Sequence, residues 1–212
     1  MKVVLSFCLY IPLAIIAFHT LVRVIRYFFP FPVPEFLATF IDNPYRRRYV
    51  QPPDETAVRH GIQPGMTVLE VGPGSGTYTI AAARRIGSEG KLVTIDIEPR
   101  MIERGQIKAE QEGVTNIEAK VGDVYQLDFP EAAFDLCFMI TVISEIPEPV
   151  RALQEIHRVI KPGGTVVFSE LLPDPDYPLA RTVQRWAEEA GFRFKQKLGN
   201  FFYYTLIMEK AA

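Results

Sequence analysis

The chain has 212 residues, 48% of them apolar and 23% charged, which is room and composition for one globular domain plus an additional segment. A net charge of −2 offers no general electrostatic footprint for nucleic acid. Cys8 and Cys137 lie far apart in apolar runs and His19, His60 and His157 show no ligand spacing, so neither a disulfide framework nor a metal site is expected, and a reducing compartment fits.

From Val3 to Val22 only Ser6, Pro12, His19 and Thr20 interrupt a run of apolar side chains. About 20 helical residues cover the roughly 30 Å hydrocarbon layer of a bilayer. Pro12 would kink such a helix without forbidding it. A cleaved signal is the main competitor, but its basic region would be Lys2 alone, and Ile15 stands where a small residue is needed before cleavage at Ala17. A helix lying on the membrane surface is a third reading, weakened because the run is apolar on every face. The expectation is an uncleaved anchor over residues 1–28. Arg23, Arg26 and Arg46 to Arg48 follow the run, so the positive-inside rule puts the rest of the chain in the cytoplasm. Residues 29–53 carry Phe29, Phe31, Phe36 and Phe40 among Pro30, Pro32 and Pro34, which prevent an ordinary helix. They read as an interfacial linker, or as one whose phenylalanines pack on the domain.

The remainder, residues 54–212, alternates strands and helices. "TVLEV" (Thr67 to Val71) is a short apolar run ending in a glycine turn, hence a buried strand, and "TYTIAAARRIG" after it is a helix stopped at Gly87. "KLVTIDI" is a second strand, and "PRMIERGQIKAEQEG" is a helix with Pro99 near its start. "NIEAKVGD" and "FDLCFMI" are strands three and four. In "PEPVRALQEIHRVI", Val150, Leu153, Ile156 and Ile160 repeat at helical spacing; "KPGG" ends that helix and "TVVFSE" is strand five. "YPLARTVQRWAEEAG" is a helix, and "FRFKQKL" and "FFYYTLIMEK" flank Gly199-Asn200 as a hairpin. The alternation predicts an α/β fold with a mostly parallel sheet covered on both faces.

Between the first strand and its helix runs "EVGPGSG", with Gly72, Gly74 and Gly76 preceded by Glu70. Glycine lets a ligand approach bare backbone, and open α/β sheets bind ligands at this end of the strand. The dinucleotide fingerprint G-x-G-x-x-G is not met, because its sixth position here is Thr77. "VLEVGPGSG" resembles motif I of the class I S-adenosylmethionine-dependent methyltransferases. "LVTIDIEPRMI", "AKVGDVYQLDF" and "FDLCFMITVISEIPEPVRALQEIHRVIKPGGTVVFSE" resemble the family's later motifs in order, the last of them in its lipid, quinone and small-molecule branch.

The resemblance covers roughly Asp54 to Lys210. It implies a Rossmann-like, mostly parallel seven-stranded sheet with a C-terminal antiparallel hairpin, S-adenosyl-L-methionine as cofactor, and no metal. The implied cofactor-binding set is Glu70, Gly72, Gly74, Gly76, Asp96, Ile97, Asp123, Val124 and Thr141. Asp96 stands where the family holds the ribose hydroxyls, and a short carboxylate at a strand end can accept from both; a helix-capping role is compatible. Asp123 and Val124 stand where adenine is met, with a turn Asp the common alternative. Glu70 would face the ammonium of the methionine moiety, since a buried carboxylate is costly without a cation.

The fourth strand lacks the Asn/Asp-Pro-Pro-Tyr signature of methyltransferases acting on nucleic acid or protein. Thr141, Ser144 and Glu145 occupy the stretch that in this branch faces the acceptor, and they are the candidate catalytic residues; no motif fixes a general base. The loop carrying Asp174, Asp176 and Tyr177 is a candidate acceptor entrance or a plain rigid loop. Tyr45, Tyr49, Tyr203 and Tyr204 are candidate walls. With the expected anchor, these features lead to a lipidic acceptor (a phospholipid, quinone or isoprenoid) and no nucleic-acid partner. A methyltransferase for a soluble small molecule, a non-catalytic membrane adaptor and a dehydrogenase are the alternatives.

Overall fold

Each of the first five apolar runs is followed by a helix or a loop that carries the chain back, so those strands lie parallel. The computed structural model describes residues 43–212 except 173 and 175, together with Tyr10, Ala17, Thr20, Leu21 and Val24. The parallel strands are β1 (Thr67–Val71), β2 (Lys91–Asp96), β3 (Ile117–Val121), β4 (Phe134–Ile140) and β5 (Ile160–Leu171). β6 (Phe192–Gly199) and β7 (Tyr203–Lys210) form the closing hairpin, with β7 antiparallel to β5 as well. The sheet has seven strands in the order β3-β2-β1-β4-β5-β7-β6, the Rossmann-like architecture expected. The order reverses beside β1, so the glycine turn that leaves β1 sits at the topological switch point.

The helices are α1 (Pro53–Arg59), α2 (Thr77–Ile86), α3 (Pro99–Gln111), α4 (Pro149–Val159) and α5 (Ala180–Glu189). Successive strand residues point to opposite faces, and both faces are buried. Leu69, Val93, Cys137, Met139 and Phe168 meet Leu153 and Ile156 of α4 and Val183 and Ala187 of α5. On the other face Val68, Leu92, Leu136, Phe138 and Val167 meet Ala57 of α1 and Ala82, Ala83 and Ile86 of α2. Proline at the first turn of α1, α3 and α4 costs no hydrogen bond there and fixes each start. Asp135 ties three strands together, accepting from Thr67 N at 2.8 Å and from Lys161 Nζ at 2.6 Å.

β5 begins earlier than its sequence suggests. Phe134 pairs with Ile160 and Leu136 with Thr165, five steps against two, so "KPGG", which follows the helix end at Val159, forms an irregularity inside the strand. Gly163 takes φ +77°, which lets the extra residues turn without strain.

The expected bilayer-spanning anchor is corrected. Among the described residues no helix is long and apolar enough to cross a membrane. Membrane anchoring with a cytoplasmic domain is therefore withdrawn; the run 3–22 on which it rests falls, except for Tyr10, Ala17, Thr20 and Leu21, outside the described residues, as does the phenylalanine-rich stretch of 28–42. Farther along, a short π-helix, Arg46–Val50, packs on the domain: Arg46 and Gln51 are buried, and Tyr78 of α2 donates to the Gln51 carbonyl at 3.1 Å.

His60, just after α1, is buried against Phe138 and hydrogen-bonded to the Ser169 hydroxyl at 2.8 Å, which in turn meets Thr205 at 2.9 Å. Burial, helped by the Arg59 charge, lowers its pKa to about 3. The unfolded chain therefore takes up a proton below about 6.5 that the folded one refuses, and stability is lost as pH falls through that window. We expect wild type to lose about 1.4 kcal/mol per pH unit relative to His60→Gln between pH 6 and 4, read by urea unfolding of both proteins. Parallel pH dependence of the two proteins would refute this.

Candidate functional site

The carboxyl ends of β1, β2, β4 and β5 share one edge of the sheet, and the sequence-selected residues lie along it. Gly72, Gly74 and Gly76 have φ of +73°, +53° and +72°, the left-handed region that costs other residues energy. A Cβ on Gly72 would stand 2.5 Å from Val142 Cγ2, so the turn is pressed onto the loop after β4. A Cβ on Gly74 would meet nothing within 4 Å, leaving bare backbone facing open space. Gly76 starts α2 without a side-chain cap. From α3, Lys108 Nζ donates to the Ser75 carbonyl at 3.3 Å and to Thr77 Oγ1 at 2.9 Å, holding the turn from its far side.

Beneath the turn, Glu70 is 2% exposed. Its Oε2 has no hydrogen-bond partner among the described residues, and neither do the buried Thr79 and Thr94 hydroxyls. Burial pushes the Glu70 carboxyl up to about 7; the two threonine hydroxyls approach closely enough to oppose that rise, and the Asp96 charge adds to it. A buried carboxyl with an unsatisfied oxygen is costly unless a partner completes it.

Asp96, the last residue of β2, is half-buried; its Oδ1 accepts from Glu98 N at 2.9 Å. Burial raises its pKa, against the backbone hydrogen bond from Glu98. Glu98, not Asp96, is the N-cap of α3. Ile97 beside it is 73% exposed, an apolar side chain at the rim. Past β3, Asp123 is exposed and accepts from Tyr125 N at 2.8 Å, an Asx-type turn, while Val124 packs against the core.

The loop after β4 holds Thr141, Ser144 and Glu145. Thr141 takes φ +55°, uncommon for a β-branched residue, and its N donates to the Ser169 carbonyl at 2.9 Å. Ser144 and Glu145 belong to a 3₁₀ turn, Ile143–Glu145; the Ser144 hydroxyl is buried without a hydrogen-bond partner among the described residues. Of the tyrosines, Tyr45 and Tyr49 are exposed with ring centroids 5.2 Å apart. Tyr204 is a core residue whose hydroxyl donates to the Pro178 carbonyl at 2.9 Å. Tyr203 is half-buried, its ring 4.9 Å from the Arg59 guanidinium, its hydroxyl buried and unsatisfied.

Two residues at this edge were not singled out from the sequence. Lys108 was hidden because a lysine on an amphipathic helix carries no mark of what it reaches. Glu170 had a usable signal: like Glu70 in "TVLEV", it is an acid near the carboxyl end of an apolar strand, in "TVVFSEL".

A family profile described as a methyltransferase domain matches residues 62–205. The demethylmenaquinone methyltransferase of Geobacillus stearothermophilus is 33% identical over 124 residues, covering 58% of this chain and 53% of that protein. The ubiquinone/menaquinone biosynthesis C-methyltransferase UbiE of Hydrogenovibrio crunogenus is 34% identical over 111 residues, covering 52% and 44%. The chain thus matches about half the length of these curated relatives. Among solved structures, a SAM-dependent methyltransferase from Aquifex aeolicus superposes with a TM-score of 0.77 at 24% identity, covering 84% of this chain and 99% of that one, a likeness of fold.

Proposed function

We propose that this chain, which belongs to the methyltransferase domain family, transfers the methyl group of S-adenosylmethionine to a prenylated quinol. This family and fold imply that cofactor, and the residues present fit it. The observation that carries the reading is Glu70: a buried acid with an unsatisfied oxygen beneath a glycine turn that leaves open space above Gly74. Glu70 would pair the ammonium of the methionine moiety, and Asp96 the ribose hydroxyls. Ile97 and Val124 would offer apolar contact to adenine, and Asp123 would receive its amino group. Thr141 and Val142 would border the transfer region from the loop after β4.

When bound, the cofactor supplies a methyl group already activated by its sulfonium. What remains for the chain is to hold the acceptor in line with that group and to exclude water. The quinol assignment is supported by the relatives, which are named as quinone methyltransferases, and by the missing Asn/Asp-Pro-Pro-Tyr signature and basic surface.

The test is titration calorimetry, then transfer of a labelled methyl group to a short-chain demethylmenaquinol. Wild type should release heat with S-adenosylmethionine. Asp96→Ala should weaken binding by about 10- to 100-fold, the worth of charge-assisted hydrogen bonds in a half-buried site. No heat from wild type would overturn the cofactor reading, and label found in protein or RNA alone would overturn the quinol.

A further inference from the structure

Glu170, next to last in β5, is 0% exposed, yet neither carboxyl oxygen has a hydrogen-bond partner among the described residues. A carboxyl buried in this way costs stability unless something completes it. Its neighbours do not. Burial first, then Asp174 and Asp176 of the loop after β5 and Glu145 of the 3₁₀ turn, oppose its ionisation; Arg46 of the π-helix favours it. The phenol of Tyr204 is also close enough to feel the Glu170 charge, but its hydroxyl is already spent on the Pro178 carbonyl at 2.9 Å. The adjacent Ser169 spends its hydroxyl on His60 and Thr205, and Phe168 and Leu171 are apolar, so the strand itself does not complete the acid.

Its position gives one. β4 alone separates β5 from β1, so at strand spacing Glu170 stands about 10 Å along the sheet edge from the end of β1. It is one residue past the Ile140–Ser169 pair, level with Thr141. β1, β2 and β3 carry the residues assigned to the cofactor except Thr141, which follows β4 at the transfer region, and this leaves the β5 end of the edge for the second substrate. The unsatisfied hydroxyls of Ser144 and Tyr203 belong to the same end of the sheet.

We propose that Glu170 is the acceptor-binding residue of this site, its carboxyl completed by a hydroxyl group of a neutral phenolic or hydroquinone acceptor. A protonated carboxyl and a hydroxyl can each give and accept one hydrogen bond, so the pair satisfies both without an unpaired charge. The inference rests on the methyltransferase reading and names the residue that selects its acceptor.

Glu170→Leu and Glu170→Gln test it in the full chain, with reduced short-chain demethylmenaquinone as probe. Both variants should bind S-adenosylmethionine as wild type does by calorimetry. Glu170→Leu should raise the KM for the quinol by about tenfold or more with a smaller change in kcat, and Glu170→Gln, which keeps a donor and an acceptor, should recover much of that loss. Glu170→Leu should melt no lower than wild type, because it removes no bond within the protein. Unchanged KM in Glu170→Leu, or a lower melting temperature with KM unmoved, overturns the assignment while leaving the methyltransferase reading intact. Failure of wild type to bind the cofactor overturns that reading instead.

Discussion

Alanine at Gly72 should damage the fold, and alanine at Gly74, two residues away, should damage binding. At Gly72 the new methyl would stand 2.5 Å from Val142 Cγ2 with the backbone at φ +73°. Left-handed backbone costs a non-glycine residue about 1–2 kcal/mol, and overpacking about 1–3 more. At about 2–4 °C per kcal/mol for a chain of this size, the melting temperature should fall on the order of 10 °C. Val142→Ala in that background should return the packing part and leave the backbone part. At Gly74 the methyl meets no protein atom within 4 Å, so the fold bears the backbone cost alone, a few degrees. It enters the space assigned to the cofactor, however, and S-adenosylmethionine affinity should drop by more than about tenfold. Scanning calorimetry and binding titration on the two variants check both halves. Equal melting temperatures and equal affinities would refute the division.

The second large effect is a proton linkage at Glu70. Ligand-free, its carboxyl titrates at about 7, because burial disfavours the charge. Pairing with an ammonium requires the ionised form, so below pH 7 binding must expel a proton. S-adenosylmethionine affinity should therefore weaken about tenfold per pH unit from 7 down to 5.5. Above about 7.7 the ligand's own amino group begins to titrate, which closes the useful window. Glu70→Gln should bind weakly and without this slope. The variant's stability should move the opposite way. A folded pKa above the unfolded value of 4.5 means that stability falls as pH rises between the two, by about 3 kcal/mol in total. Glu70→Gln removes that loss, so the ligand-free variant should melt higher than wild type at pH 8. An affinity independent of pH in wild type would take Glu70 out of the binding site.

Much of this was legible in the residues themselves. The apolar runs, the helical spacing of Val150, Leu153 and Ile156, and the glycine turn after "TVLEV" were enough for a Rossmann-like, mostly parallel seven-stranded sheet with a closing hairpin once the family resemblance was added. Local pattern reports which side of an element is buried; it does not report what lies across the sheet. Hence Glu170 passed as the end of a strand, and the packing of Arg46 and Gln51 on α2 left no trace in residues 46–51. "KPGG" reads as a stop signal because glycine and proline punctuate chains, and the helix does end just before it, at Val159; what local pattern does not show is that pairing across from Phe134 draws the same residues into β5.

The sheet order has a consequence for biosynthesis. β7 is made after β6 but lies between β6 and β5. While the polypeptide emerges from the ribosome, β5 must wait with its backbone unpaired along one side, and β6 has no lawful neighbour until the following strand slides into the gap. At about 5–20 residues per second this is a brief but obligatory interval of stickiness. Such an opening is where a nascent-chain chaperone, or a second unfinished copy, would first take hold.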